Sequence, residues 1–468
     1  MAVSDFIGAL SATQIKGLTT NTINKMDTDA IGALKSEQVK ALSATQFAAI
    51  DDPDEYANLK VSALSNVVVA SLNSTQYADL ASTATEKLVT SQIGSLNATI
   101  IDGLDAAGIE GLGATLSGLS AAQLAVVEGD KINANAIANL TSSQVGALTG
   151  TQVTALSGTA AAALDADQLA GLSAAGAAGL EAADITSLFN GGDATSAANI
   201  QALSTKAIAG LTDANVAALS ADAVGALKEA QIKALTGTQV AQLTTAQVDG
   251  WTADQVKALT AKQLQSLNVA VLKDTQVAAL SATQIAGLDD TKIAALNEDG
   301  FGSWDATQLG AISATGITGL TPGQAAKLDT AADVNALNTK AFAALSNTVL
   351  AGLDKDAVVA QLDANHIKAL TAGQIVALTD DQVTALTGDQ LKEMSSAQIS
   401  AFANGDIKLF TKEELAEMST SALKGLEEDD IMSLTDDQLD ELTGGRETAF
   451  TQDQTNWIIA AYMTPDTP

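Results

Sequence analysis

An eight-residue unit recurs along almost the whole chain. From Leu10 the sequence reads LSATQIKG, LTTNTINK, MDTDAIGA, LKSEQVKA and LSATQFAA. The unit returns as LTSSQVGA at Leu140, LTTAQVDG at Leu243 and LTDDQLDE at Leu434. The consensus is L-[T/S/D]-x-x-Q-[V/I/L]-x-[A/G], repeated roughly fifty-five times between Leu10 and Leu442. The 468 residues would otherwise suggest about three domains. A short repeat points instead to one quasi-linear array.

Each unit reads as one very short helix. Position 2 is Ser, Thr or Asp, whose side-chain oxygen accepts from an orphan N–H at a helix start. Gln at position 5, three residues later, completes a capping box. Position 8 is mostly Ala or Gly, which suits a tight exit. Pro322 falls on the first helical residue of LTPGQAAK, where its missing N–H does no harm. One continuous helix is excluded, because eight residues at about 100° each rotate the apolar face by about 80° per unit. A β-solenoid is the alternative, but Ala, Leu and Gln favour helix.

Helices this short need tertiary support, since isolated ones need roughly 12–15 residues. The expected fold is therefore an all-α solenoid with Leu at position 1 and Val or Ile at position 6 in a shared core. The pairing of 47% hydrophobic with 3% aromatic residues suggests a narrow core without room for rings. With two helices per coil, roughly 27 coils stacked about 9 Å apart would make a rod on the order of 250 Å long.

The phase slips locally. Leu59–Leu64, Val127–Ile132 and Leu267–Leu272 are short steps; Leu112–Leu119 and Leu188–Thr195 are sevens; Ile50–Leu59, Leu328–Leu337 and Leu353–Leu362 are nines. These read as loops or bends inside one solenoid over residues 1–442. The Ala- and Gly-rich stretch Ala160–Gly179 should be its most tightly packed part. Asn190-Gly191-Gly192-Asp193 reads as a hinge or surface loop. From about residue 390 the units become thicker and more charged, with Met394, Phe402, Phe410 and Met418 at position 1. Residues 443–468 leave the repeat and form a cap, an assembly segment or a secretion segment. Trp457, Ile458, Ile459 and Tyr462 there are the expected assembly contact.

Composition limits function. A net charge of −32 opposes nucleic acid and anionic lipid. No cysteine and one histidine leave little material for thiolate chemistry, a catalytic triad or a His-rich metal site. No apolar run reaches membrane-spanning length, and the first residues lack a basic, apolar signal peptide. His366 stands at position 5 and reads as a partly exposed capping substitute. Trp251 and Trp304 stand at position 1 and read as core fillers. Acidic pairs such as Asp289-Asp290 and Asp380-Asp381 fall at helix starts, where they favour the positive dipole end. Should calcium bind, the turn residues Asp193, Asn297 and Asp299 are its candidate ligands. No other cofactor and no catalytic residue is expected.

The LTxxQVxA octapeptide resembles tandem arrays in large secreted and cell-surface proteins of Gram-negative bacteria, across about residues 10–442. The resemblance implies a type I secretion substrate of the surface-layer, filament or adhesin class, exported without an N-terminal signal peptide. The glycine-aspartate calcium repeats that often accompany such export are not in this sequence. The expected function is that of a non-catalytic extracellular structural protein that polymerises with itself, end to end and side by side. The alternatives are a monomeric adhesin or binding module, with cell-surface glycan as a partner, and an intracellular scaffold. Like-charged rods would need salt or a divalent cation to pack laterally.

Overall fold

The computed structural model describes residues 2–156, 158–403 and 405–463. Residues 464–468, the end of the expected tail with Pro465 and Pro468, lie outside the described residues. The described residues are helical throughout, in α- and 3₁₀-segments mostly of three to eight residues, with no strand among them. They form two compact units, Met1–Gln242 and Leu243–Pro468. No phase slip marks the division of what the repeat suggested as one array.

Most of the α-helices start as the octapeptide dictates. In Gly150–Thr154 the Thr149 hydroxyl accepts from the Gln152 amide N–H, and the Gln152 side-chain oxygen accepts from Thr149 N–H. The same reciprocal box opens Ala12–Lys16 through Ser11 and Gln14 and Pro322–Ala325 through Thr321 and Gln324. Two of the four orphan donors at each such start are thus satisfied locally.

Inside each unit the helices pack every third one. Ala12–Lys16 lies against Ser36–Ala41, Ser142–Ala147 against Ala166–Gly171, and Ala174–Ala178 against Thr205–Gly210. In the second unit Asp274–Ala278 lies against Glu298–Phe301. A coil therefore has three sides, which replaces the two-helix coil assumed from sequence. A three-sided coil also encloses a wider centre than a two-layer stack. Phe47, Phe189, Phe301, Phe342 and Phe410 are fully buried in it, so the core does take rings. Trp251 and Trp304 are buried core fillers, and Trp304 Nε1–H donates to Val277 O at 3.0 Å.

Most phase slips turn out to be sides of the coil, while Leu188–Thr195 keeps a short non-helical link at Asn190–Asp193. The three short steps become single 3₁₀ turns at Val61–Ala63, Gly129–Lys131 and Val269–Val271. Asn190, expected in a hinge, is tied down: its Nδ2 donates to Ala218 O at 2.8 Å and its Oδ1 accepts from Ser220 N–H at 2.7 Å. Position 8 sets how closely coils approach. A Cβ on Gly171 would collide with Ser142 O, and one on Gly179 with Gly150 O, in the stretch expected to pack most tightly.

Candidate functional site

The most repeated chemical feature is the position-5 glutamine. Its oxygen closes the capping box, while its Nε2 reaches the preceding coil. Gln231 Oε1 accepts from Lys228 N–H at 2.9 Å, and its Nε2 donates to Ile200 O at 2.7 Å and Leu203 O at 2.9 Å. Gln92 treats Val61 and Leu64 in the same way, and Gln324 treats Ile293 and Leu296. Both carbonyls lie at the C-terminal end of a helix, where backbone acceptors lack intrahelical partners. The buried amide is fully used, which offsets its desolvation.

Sequence spacing confirms the three-sided count. Gln231 bonds to residues 31 and 28 positions earlier. Gln152, with a short step in between, bonds to residues 28 and 25 earlier. Gln374, with a nine-residue step in between, bonds to residues 32 and 29 earlier. A slip thus changes the residues per coil and leaves the helices per coil unchanged.

Substitutes at position 5 follow the same geometry. His366 is 3% exposed, contrary to its expected partial exposure, because it spans two coils as glutamine does. Its Nε2 lies 2.9 Å from Leu337 O and its Nδ1 lies 2.9 Å from Asp363 Oδ1, while its ring meets Phe342 edge-on. Arg446 Nη1 donates to Met418 O at 2.7 Å and Nη2 to Leu415 O at 3.2 Å. Asp430 cannot donate while ionised. Burial pushes its carboxyl up to about 6, and the charges of Glu427, Asp429 and Asp406 push the same way.

The first coil differs from those after it. Phe6, Gln14 and Thr22 hold position 5 there and are exposed. Phe6 is 57% exposed. Gln14 keeps its box with Ser11, but its Nε2 has no acceptor among the described residues.

The expected assembly residues separate. Thr451 and Gln454 form one more box at the start of helix Gln452–Met463, and Gln454 Nε2 donates to Leu423 O and Leu426 O. The segment expected to leave the repeat therefore docks by the repeat's own bond. Ile458 is buried by that docking and Trp457 is half-buried beside Lys424 and Glu427. Ile459 and Tyr462 are exposed together with Met463, at 79%. Tyr462 O–H donates to Asp440 Oδ1 at 2.8 Å.

The candidate calcium ligands are occupied as caps. Asp193 Oδ1 accepts from Ser196 N–H at 2.8 Å, and that bond holds its carboxyl below the usual carboxylate range. Asn297 Oδ1 accepts from the N–H groups of Asp299 and Gly300. Asp299 pairs with Lys327 at 2.9 Å. Asp193 belongs to one unit and the other two to the next. Among the described residues no three His, Cys, Asp or Glu side chains converge where they could hold a metal ion.

Residues 7–44 match the family described as ALTTAQ repeat, which makes this a tandem-repeat protein. Among curated proteins no relative matches. Two solved structures are similar at low identity. One, titled a homology model of the full-length AP-3 complex in an intermediate open conformation, is 10% identical, covers 97% of this chain and 80% of that chain, and has a TM-score of 0.25. The other, the leucine-rich repeat-containing protein LegL7 from Legionella pneumophila, is 11% identical, covers 64% of this chain and 89% of that chain, and has a TM-score of 0.15. Both scores fall below the level of a shared fold. Among the described residues no helix is long and apolar enough to cross a membrane.

Proposed function

We propose that this is a non-catalytic structural protein of the bacterial exterior that self-associates into a layer, sheath or filament. The observation that carries the reading is the state of position 5 in the coil that holds Phe6, Gln14 and Thr22. In later coils most glutamines at this position donate across to the carbonyl edge of the coil before, as Gln231 and Gln324 do. In the first coil Phe6 and the Gln14 amide meet no such edge among the described residues. The complementary surface is a carbonyl edge of the kind every coil carries, so a second copy can supply it. The contact joins two different faces and propagates as a fibre. Ile459 and Met463 in the second unit, both exposed, offer apolar area for such contacts. The exterior location rests on the resemblance of the octapeptide to secreted arrays.

Sedimentation velocity and negative-stain microscopy of the purified chain, across protein and salt concentration, test this. Polymers should form, and both Phe6→Lys/Gln14→Glu and Ile459→Lys/Met463→Lys should shorten them while leaving the helical signal intact. All four side chains are exposed, so the fold does not depend on them. A monomer under every condition, or polymers indifferent to both double variants, would overturn the reading.

A further inference from the structure

One side of one coil lacks its helix, and a cavity of about 620 Å³ opens beside it in the first unit. The cause is legible in the unit Leu80–Lys87, LASTATEK. Its position 2 is Ala81, which cannot cap a helix start. Helix Ser74–Thr83 therefore runs on for ten residues, and no separate helix forms before Thr90–Ile93. Lys87 covers the freed end, its Nζ donating to Ala81 O at 2.6 Å and Ala84 O at 3.2 Å.

The following coil does not close the gap. Its position-5 residue is Gly108, in place of a bridging glutamine, and Gly103 and Gly111 line the same space. A Cβ on Gly111 would meet nothing within 4 Å. The buried side chains of Leu80, Leu88, Ile93 and Ile100 line the interior, with half-buried Leu104 and Leu112 beside them. Tyr77 also lines the cavity, 8% exposed, and its hydroxyl has no hydrogen-bond partner among the described residues. That hydroxyl is not fully enclosed and faces no acceptor among them, which leaves its proton for a molecule in the cavity.

We propose that this cavity binds a neutral small molecule with an apolar body and one oxygen acceptor for the Tyr77 hydroxyl. The volume suits a small ligand and lies within the range of ligand pockets, roughly 300–1,000 Å³. It is too small for a partner helix, whose diameter is about 10 Å over its whole length. Neutrality follows from the charges present: the Lys87 ammonium on the cavity wall opposes a cation, and a net charge of −32 repels anions.

Nile red, neutral and apolar with a carbonyl acceptor, is the probe, titrated into the full chain and read by its blue-shifted emission. One saturable site is expected. Gly111→Leu, on one wall, and Ala78→Phe, on another, should each weaken binding at least tenfold. Tyr77→Phe should weaken it about tenfold, the worth of one good hydrogen bond. Gly373→Leu is the control, because a Cβ there also meets nothing within 4 Å but lies in the second unit; it should bind as the parent does. Thermal unfolding of each variant reports whether it is folded. The proposal is overturned by the absence of a saturable site, by unchanged binding in the folded Gly111→Leu and Ala78→Phe variants, by an equal loss in Gly373→Leu, or by full affinity in Tyr77→Phe.

Discussion

The side-chain amide nitrogen of Gln231 lies 2.7 Å from the carbonyl oxygen of Ile200, 31 residues earlier in the chain. This bond joins adjacent coils, while the oxygen of the same amide caps its own helix. The two halves of the group can be separated by mutation.

Gln231→Glu keeps the capping oxygen and turns the two donors into acceptors facing two carbonyls. It should cost about 2–4 kcal/mol, from a buried charge and two stranded carbonyls. Gln231→Ala should cost less, about 1–3 kcal/mol, because no charge is buried. Gln14→Glu, exposed and without an acceptor, should be close to neutral. Urea denaturation of the three variants checks the order, and equal losses at Gln14 and Gln231 would refute the coil-joining role.

His366→Gln should be neutral or stabilising by about 1 kcal/mol, since glutamine supplies two donors where the ring supplies one to Leu337. His366→Glu should destabilise as Gln231→Glu does. Thermal melts at pH 7.5 distinguish these from a purely packing role, in which both variants would lose the Phe342 ring contact alike.

Asp430 supplies a pH dependence. Its folded carboxyl titrates at about 6, above the roughly 3.9 of an unfolded aspartate, so the native state binds more protons between those values. Stability from this group is therefore present below about pH 4 and is lost as pH rises through 6. Asp430→Asn should be more stable than the parent at pH 7.5, and the difference should shrink toward pH 4. Comparison with the parent is needed because burial raises the carboxyls of Glu55 and Asp406 as well. A constant difference across that range would contradict the assignment.

Two glycines should respond with opposite signs to alanine. A Cβ on Gly319 would collide with Asp290 O of the neighbouring coil, and Gly319→Ala should cost about 1–3 kcal/mol. Gly373, inside helix Ala372–Val376, has open space around it, and Gly373→Ala should stabilise by about 0.5–1 kcal/mol. Denaturation midpoints measure both.

The local half of the structure was legible in the octapeptide. Ser, Thr and Asp at position 2 and the glutamine three residues on place the helix starts correctly, because capping is decided within four residues. What was not legible is what those helices meet. The count of three per coil depends on exit angles that no single unit encodes. A hint was present in the preference for Gln over Glu at position 5: either closes a capping box, but only the amide can also donate. The docking of helix Gln452–Met463 rests on the same pairing, since Thr451 and Gln454 stand at capping-box spacing ahead of the more conspicuous Trp457 and Ile458. The vacant side at Leu80–Lys87 was equally visible, as an alanine where a cap belongs. Composition marks the oxygen-rich turns but not how their oxygens are used: Asp193 and Asn297 spend side-chain oxygens on their own backbone.

The glutamine bridge ends on main-chain carbonyls, which every residue type possesses. One partner of the contact is thus indifferent to sequence, and a coil can be joined to almost any other. Gain or loss of genetic material is then constrained by arithmetic rather than by fit. Removing one octapeptide moves every later helix onto a different side of the coil and rotates the exposed pattern by a third of a turn. Removing three in succession restores every side to its place. Insertions and deletions in such arrays should therefore be tolerated in multiples of three units, and a surface that must stay aligned with a partner would preserve that count.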